Sequence, residues 1–295
     1  MTDAARTIRL SAPFSLAETC GPVHWTTGRS PRHAWSDGAL TWVGWEADRA
    51  VWRSARQVGE DCLVIEGTGD PGQDRAWAAD VLGSEIRLPR FEDPLIGGLA
   101  ATYPGLRPYC DGSVFEGVIT AIVGQSISVA AAAVAQARLC ALFGNEVSVN
   151  GVDFRPLPRA EQLAEAGAEL IRSSGVTWKR AEAIRHAASE AMRGNLPTDE
   201  ESRRDPDEAV RALMMLPLVG RWTAESVVLW GVGAPNAHPT GDVALLRAAK
   251  HAYNRQHLTL KTLDTLAEQW QPARGLAARL LWTHLFGPAP ERSAT

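Results

Sequence analysis

The residue types that could do chemistry lie in two short segments. Leu216-Pro217-Leu218-Val219-Gly220-Arg221-Trp222-Thr223-Ala224 reads as a tight hairpin opening a helix. Backbone N–H groups at such a helix start have no intrahelical partner and favour a phosphate. Twenty positions after Trp222, His238-Pro239-Thr240-Gly241-Asp242 is a Gly/Pro loop that delivers one carboxylate to the start of another helix. A phosphate grip beside a single acid points to chemistry on nucleic acid. Reactions at a nucleotide sugar can develop positive charge at C1′. A carboxylate close to C1′ stabilises that charge and can position or deprotonate water. Asp242 is the candidate. An Asp after Thr-Gly, ahead of an apolar helix, is equally a good N-cap worth ~0.5–2 kcal/mol. The two roles are compatible.

Trp222 falls on the first turn of the hairpin helix. An indole face attracts a cation by ~0.5–2 kcal/mol. Purines alkylated at N3 or N7 are cationic, so such a wall would favour them. The competing assignment is core packing, since most of the 11 tryptophans must be structural. Gly220 is expected in a left-handed turn whose amides hold phosphate. The seven histidines show no metal spacing, and His238 stands in the loop, where it could touch substrate.

These segments need elements to hold them. From Thr7 to about Gly69 the chain is strand-like. Ala39–Trp45 follows Asp37-Gly38, a hairpin dipeptide, and Ala50–Arg56 and Cys62–Glu66 continue the pattern. Pro71 opens a helix through Leu82. After Asp111 almost everything reads as helix: Phe115–Val123, Ile127–Phe143, Ala160–Ala166, Lys179–Met192, Pro206–Met215, Arg221–Trp230, Asp242–His251, Leu260–Trp270 and Ala273–Phe286. Gly124-Gln125-Ser126 and the other Gly/Pro breaks separate them. The polar run Thr198–Asp205 reads as a solvated loop, and the tail from Pro288 as frayed.

Composition sets the bounds. With 295 residues, 45% of them hydrophobic, the chain can bury one large core or two ordinary ones. A net charge of −4 argues against non-specific coating of a polyanion and leaves room for a local contact surface. Only Lys179, Lys250 and Lys261 are lysines. Cys20, Cys62, Cys110 and Cys140 form no C-x-x-C pair, which disfavours zinc or iron–sulfur ligation. Met1-Thr2-Asp3 opens no basic region followed by an apolar one, so no secretory leader is expected, and the apolar run Val129 to Ala135 is too short to span a membrane. A cytoplasmic protein is expected.

The helical half resembles the helix-hairpin-helix base-excision DNA glycosylases with a Gly/Pro-rich loop and Asp, and most closely their DNA-3-methyladenine glycosylase II branch. Phe115-Glu116-Gly117-Val118-Ile119-Thr120-Ala121-Ile122-Val123-Gly124-Gln125 is similar to the early helix of that family, which ends in Gly-Gln. Leu216 to Ala224 resembles its hairpin, and Ala237 to Leu245 its catalytic loop. Lys179-Arg180-Ala181 at a helix start also fits. The likeness runs from about residue 93 to 285. It implies an α+β fold, with a β-rich antiparallel N-terminal domain over 1–92, a mostly α-helical glycosylase region over 93–287 and a tail over 288–295.

The resemblance further implies a monofunctional DNA glycosylase that hydrolyses the bond to alkylated purines. Asp242 would be the catalytic carboxylate, and Trp222 and Trp282 the base-stacking tryptophans. Gln125, Ser126, Ile127, Leu218, Gly220, Arg221 and Thr223 would contact DNA. The partner would be damaged double-stranded DNA, bound by a monomer in a bacterial cytoplasm. No organic cofactor is expected, and a monovalent cation, Na+ or K+, could sit on the hairpin carbonyls. Strand-cleaving relatives place a lysine near Trp222; this chain has none in the hairpin, which favours simple hydrolysis. The chain also departs from the family. Leu218 stands where the hairpin has Gly, and Ser126, with Ile127 next, where a bulky residue fills the gap left by the flipped base. Ser226 and Val243 replace tyrosines. Two alternatives stay open: a DNA-binding module with reduced catalysis, and a bifunctional lyase for oxidised bases.

Overall fold

The computed structural model describes residues 5–11, 13–25 and 30–290. Its first part is a five-stranded antiparallel sheet: β1 (Arg6–Arg9), β2 (His33–Ser36), β3 (Ala39–Glu46), β4 (Arg49–Val58) and β5 (Cys62–Gly67), in the order β1-β5-β4-β3-β2. Asp37-Gly38 joins β2 to β3 with φ of 50° and 71°, the primed turn whose twist matches the strands. Along β4, Val51, Arg53 and Ala55 face inward at the two-residue period of a strand. Arg53 is only 1% exposed, and its charge is met by Asp74 at 2.9 Å and Glu46 at 2.5 Å. The segment after Asp70 is a 3-10 turn, Pro71–Gln73, leading into the helix Asp74–Leu82, which adds Trp77, Val81 and Leu82 to the sheet core.

A second, larger core belongs to the helices. It takes in Phe91 and Ile96 and runs to Trp282. Val114–Gly124 and Val129–Leu142 are separated by the expected break. The second helix starts later than Ile127 because Ser128 caps it, its hydroxyl accepting from Ala131 N at 3.2 Å. The hairpin helix Arg221–Ser226 continues as a π-helical turn, Val227–Gly231. Here two glycines meet. A Cβ on Gly117 would lie 3.1 Å from the Gly231 Cα, and one on Gly231 would lie 3.0 Å from the Ser113 carbonyl oxygen. The backbones of Val114–Gly124 and the π turn therefore pack directly on each other. Arg32 anchors the start of the first of these helices, lying 3.3 Å from Asp111 and 3.2 Å from Glu116.

Three expectations are corrected. Thr198–Asp205 is not a loop: Asp199–Arg204 is a helix, closed by a capping box between Thr198 and Glu201. Its charges masked an ordinary helix start. A hairpin, β6 (Val147–Val149) and β7 (Val152–Phe154), stands where no strand was expected. Asn150-Gly151 at positive φ makes its turn, and Val149 and Phe154 pack on Val43 of the sheet. The tail does not fray at Pro288. Ala289 is buried and donates to the Ala17 carbonyl at 2.9 Å, and Trp35 Nε1 donates to the Pro290 carbonyl at 2.7 Å. The largely buried Trp35 indole needs that acceptor. Residues 291–295 lie outside the described residues.

All four cysteines are free. Among the described residues no helix is long and apolar enough to cross a membrane, and no His/Cys/Asp/Glu group is placed to hold a metal.

Glu18 packs near Arg107, and burial pushes its carboxyl up to about 7 against the opposing pull of Gly105 N–H and Arg107. A carboxyl raised in the fold favours the folded state while protonated. Its contribution is complete below the ordinary value of 4.5 and is lost as pH rises through about 7. Glu18→Gln should therefore flatten the stability profile between these pH values. Urea unfolding of both proteins across that window measures it, and identical slopes would refute the assignment.

Candidate active site

Asp242 caps the helix Val243–Ala252. Its Oδ1 accepts from Leu245 N at 2.7 Å, as the sequence suggested. The loop before it closes as a turn, with Asp242 N donating to the Pro239 carbonyl at 3.1 Å and Gly241 at φ 76°. A residue with a side chain would be strained at Gly241. The second carboxylate oxygen is turned to the hairpin helix, where Oδ2 accepts from Trp222 Nε1 at 3.0 Å. Trp222 is 47% exposed, so it is not core packing. Its edge meets Asp242 while much of the ring lies open to solvent.

The hairpin lies beside this pair. Gly220 is the N-cap of Arg221–Ser226, with φ −83° and no side-chain cap. It is not in the left-handed region, which corrects the expectation. Leu218 occupies that region instead, at φ 65°. Nothing lies within 4 Å of where a Gly220 Cβ would be, so the approach to the helix amides is open. Ala224 N makes the first helical bond back to Gly220, which leaves the amides of Arg221, Trp222 and Thr223 directed outward.

Gln125 and Thr223 brace the hairpin. Gln125 Nε2 donates to the Leu218 carbonyl at 2.6 Å and to Thr223 Oγ1 at 3.3 Å. Thr223 is buried. Arg180, at the start of the helix Trp178–Met192, donates to the Gln125 carbonyl. Ser126, at φ 54°, and Ile127 follow on the exposed tip of this loop. Ile127, Leu218, Trp222 and Val243 are all exposed, so the face carries more apolar surface than solvent would select.

Trp282 is elsewhere. It is 4% exposed inside the helix Arg274–Phe286, with its ring 5.1 Å from that of Trp230. The Arg279 guanidinium lies 4.3 Å over Trp230, and burial lowers its pKa to about 10. The structure joins Trp222 to Asp242 and leaves Trp282 in the core. His238 is also withdrawn from solvent, its Nε2 3.0 Å from Asp264 Oδ1. Ser226 is half-buried.

Sequence reasoning missed two acids. Glu225, 5% exposed, accepts from Arg221 Nε at 2.8 Å, from Thr240 N at 2.7 Å and from Thr240 Oγ1 at 2.9 Å. Asp264 accepts from Gly241 N at 3.4 Å as well as from His238. The only sequence signal for Glu225 is its spacing of four from Arg221, the spacing of any surface ion pair on a helix.

The hairpin presents free amides and an open indole beside a loop-borne carboxylate, an arrangement of helix-hairpin-helix type. Residues 119–272 match the HhH-GPD superfamily base excision DNA repair proteins. DNA-3-methyladenine glycosylase 2 of Escherichia coli is 32% identical over 212 residues, which cover 70% of this chain and 72% of that protein. The chain belongs to this superfamily. The 3-methyladenine DNA-glycosylase of Archaeoglobus fulgidus superposes with a TM-score of 0.78 at 25% identity, covering 95% of this chain and 98% of the other. The 8-oxoguanine glycosylase/lyase of Clostridium acetobutylicum shares the fold, with a TM-score of 0.69 at 16% identity over 96% of this chain and 97% of that one.

Leu218 is held at a left-handed φ that costs a side-chain-bearing residue about 1–2 kcal/mol. Leu218→Gly should therefore raise the unfolding free energy by about 1 kcal/mol, while Leu218→Ala, which keeps a Cβ, should leave it within about 0.5 kcal/mol. Urea unfolding measures both. A less stable glycine variant would mean that side-chain packing outweighs the strain.

Proposed function

We propose that this protein, a base-excision DNA glycosylase of the alkylbase type, hydrolyses the N-glycosidic bond of flipped-out cationic purines with Asp242 as its reacting carboxylate. The observation that carries the reading is the Asp242 carboxylate seated at a helix start and bonded to the half-exposed Trp222, beside a hairpin whose amides are free. Those amides and the open approach at Gly220 suit a backbone phosphate. Ile127, on the loop braced by Gln125, suits the gap left in a duplex by an extruded base better than Ser126 does.

The reaction balances simply. The C1′–N bond breaks, and its electron pair leaves with the base. An N3- or N7-alkylated purine departs neutral and needs little acid help. Asp242 stabilises the cationic sugar, water adds its oxygen to C1′, and the carboxylate takes the proton. The strand stays intact. A lyase would need an amine nucleophile, and Lys179, Lys250 and Lys261 all lie outside the hairpin. Trp222 is the stacking wall in this reading. Trp282 would stack on a base only after the core around Trp230 opened.

Residues 1–92 form the β-rich domain and 93–287 the glycosylase region, acting as a monomer on double-stranded DNA in the cytoplasm. The hairpin offers a monovalent cation only neutral oxygen donors, with no acidic side chain from Leu216 to Gly220, a set that suits Na+ or K+ better than a divalent ion. The Leu218 carbonyl already serves Gln125 and the Leu216 carbonyl accepts from Val219 N at 3.2 Å, so the Val219 carbonyl would hold the ion and add positive charge beside a phosphate.

Asp242→Asn keeps a capping oxygen but cannot also accept the Trp222 indole bond, so it should lose about 1 kcal/mol of stability at most. It should retain duplex binding and release no base from alkylated DNA. Near-normal base release would remove Asp242 from the mechanism. Trp222→Ala should slow excision of cationic alkylpurines more than that of neutral lesions such as uracil, by ~0.5–2 kcal/mol of differential stabilisation. Single-turnover excision from matched duplexes reads this difference. Equal losses on both classes would mean that Trp222 does not select charge.

A further inference from the structure

We infer that Glu225 is a positioning residue, whose buried carboxylate fixes the Thr240-Gly241 turn and so places Asp242. The inference rests on the reading of Asp242 as the reacting group. A carboxylate as buried as that of Glu225 is costly unless charged or hydrogen-bonding partners surround it. It has three such bonds, and two come from one residue of the loop, the amide and hydroxyl of Thr240. Thr240 stands two positions before Asp242. Arg221, on the first turn of the same helix, supplies the opposing charge.

The geometry is more specific than a generic ion pair. Trp222 and Glu225 sit three residues apart on one helix, hence on neighbouring positions of its surface. Trp222 holds Asp242 at 3.0 Å, and Glu225 holds Thr240 at 2.7 Å. The hairpin helix thus grips both ends of a three-residue segment. The next amide, Gly241 N, turns to Asp264 on the helix Leu260–Ala267. Successive amides of the turn therefore donate to carboxylates from two different helices. Each fixes one peptide plane, and Asp242 follows from both. A shift of about 1 Å at a reacting group can cost a hundredfold in rate, so the brace bears on turnover more than on DNA affinity.

The test uses Glu225→Gln in the full chain. Glutamine keeps the size but has one acceptor oxygen, so it cannot accept from both Thr240 N and Arg221 Nε, which bond to different oxygens of Glu225. Single-turnover release of a cationic alkylpurine should fall about 10- to 100-fold, while the dissociation constant for an undamaged duplex stays within about twofold. The indole N–H resonance of Trp222, assigned by its loss in Trp222→Phe, should move and exchange faster with water as Asp242 shifts. Thr240→Val, which removes one bond, should change both in the same direction to a smaller extent. The double variant should be no slower than Glu225→Gln, because both changes act through one contact. An unmoved indole resonance, or rate and affinity falling together, would overturn the inference. If the wild-type protein releases no base, the functional reading fails, and the indole resonance still decides the role of Glu225. If Glu225→Gln does not fold, Thr240→Val decides it by the same readouts.

Discussion

The backbone contact between Gly117 and Gly231 is the constraint on which the site depends. A Cβ at either position would press on backbone at 3.0–3.1 Å, so the neighbouring helix would have to give way. The helix Val114–Gly124 and the π turn at the end of the hairpin helix can therefore lie closer than side chains normally permit. One of these elements delivers Gln125 at its far end, and the other delivers Leu218, Gly220 and Trp222. The bonds from Gln125 to Leu218 and Thr223 form only if both keep one register. A displacement at the glycines would be transmitted along stiff helices to the tip where the amides face solvent.

The acids divide the work around the Gly/Pro loop. Asp242 is half-buried, with one oxygen on its own helix and the other on an indole. Glu225 and Asp264 are spent on the loop backbone and on His238. Glu225 is buried and Asp264, 30% exposed, is turned to His238 and Gly241 N, so Asp242 is the one of the three whose carboxylate meets the open indole. That arrangement agrees with a chemistry that asks for a single negative group beside a developing cation.

The motifs were legible in the sequence because each is local. A hairpin, a cap and a Gly-Gln helix end announce themselves within a few residues, and their spacing survived into the structure. The turn chemistry at Asp37-Gly38 was equally readable. What failed to show depends on tertiary contacts. Glu225 looks like an exposed partner of Arg221 until the loop covers it. Trp282 is a stacking candidate only through the family resemblance, and Trp230 and the surrounding helices enclose it. Gly220 invited a left-handed assignment that belongs to Leu218, since residue type alone does not say which position of a hairpin bears the positive φ. The run at Thr198–Asp205 reads as a loop on charge alone, although Thr198 and Glu201 spell out a capping box.

The clasp made by residues 287–290 has a consequence for how the molecule comes apart. Trp25 Nε1 donates to the Gly287 carbonyl at 2.9 Å, and Trp35 reaches Pro290 across 255 positions of sequence. The last helix, ending at Phe286, leads straight into these bonds. The sheet therefore cannot loosen at that edge without freeing the end of a helix that lines the other core. The clasp thus couples the two cores, and opening one at this edge costs contacts of the other. Closing it joins positions 255 apart in sequence, so the contact must offset the entropy of a long loop.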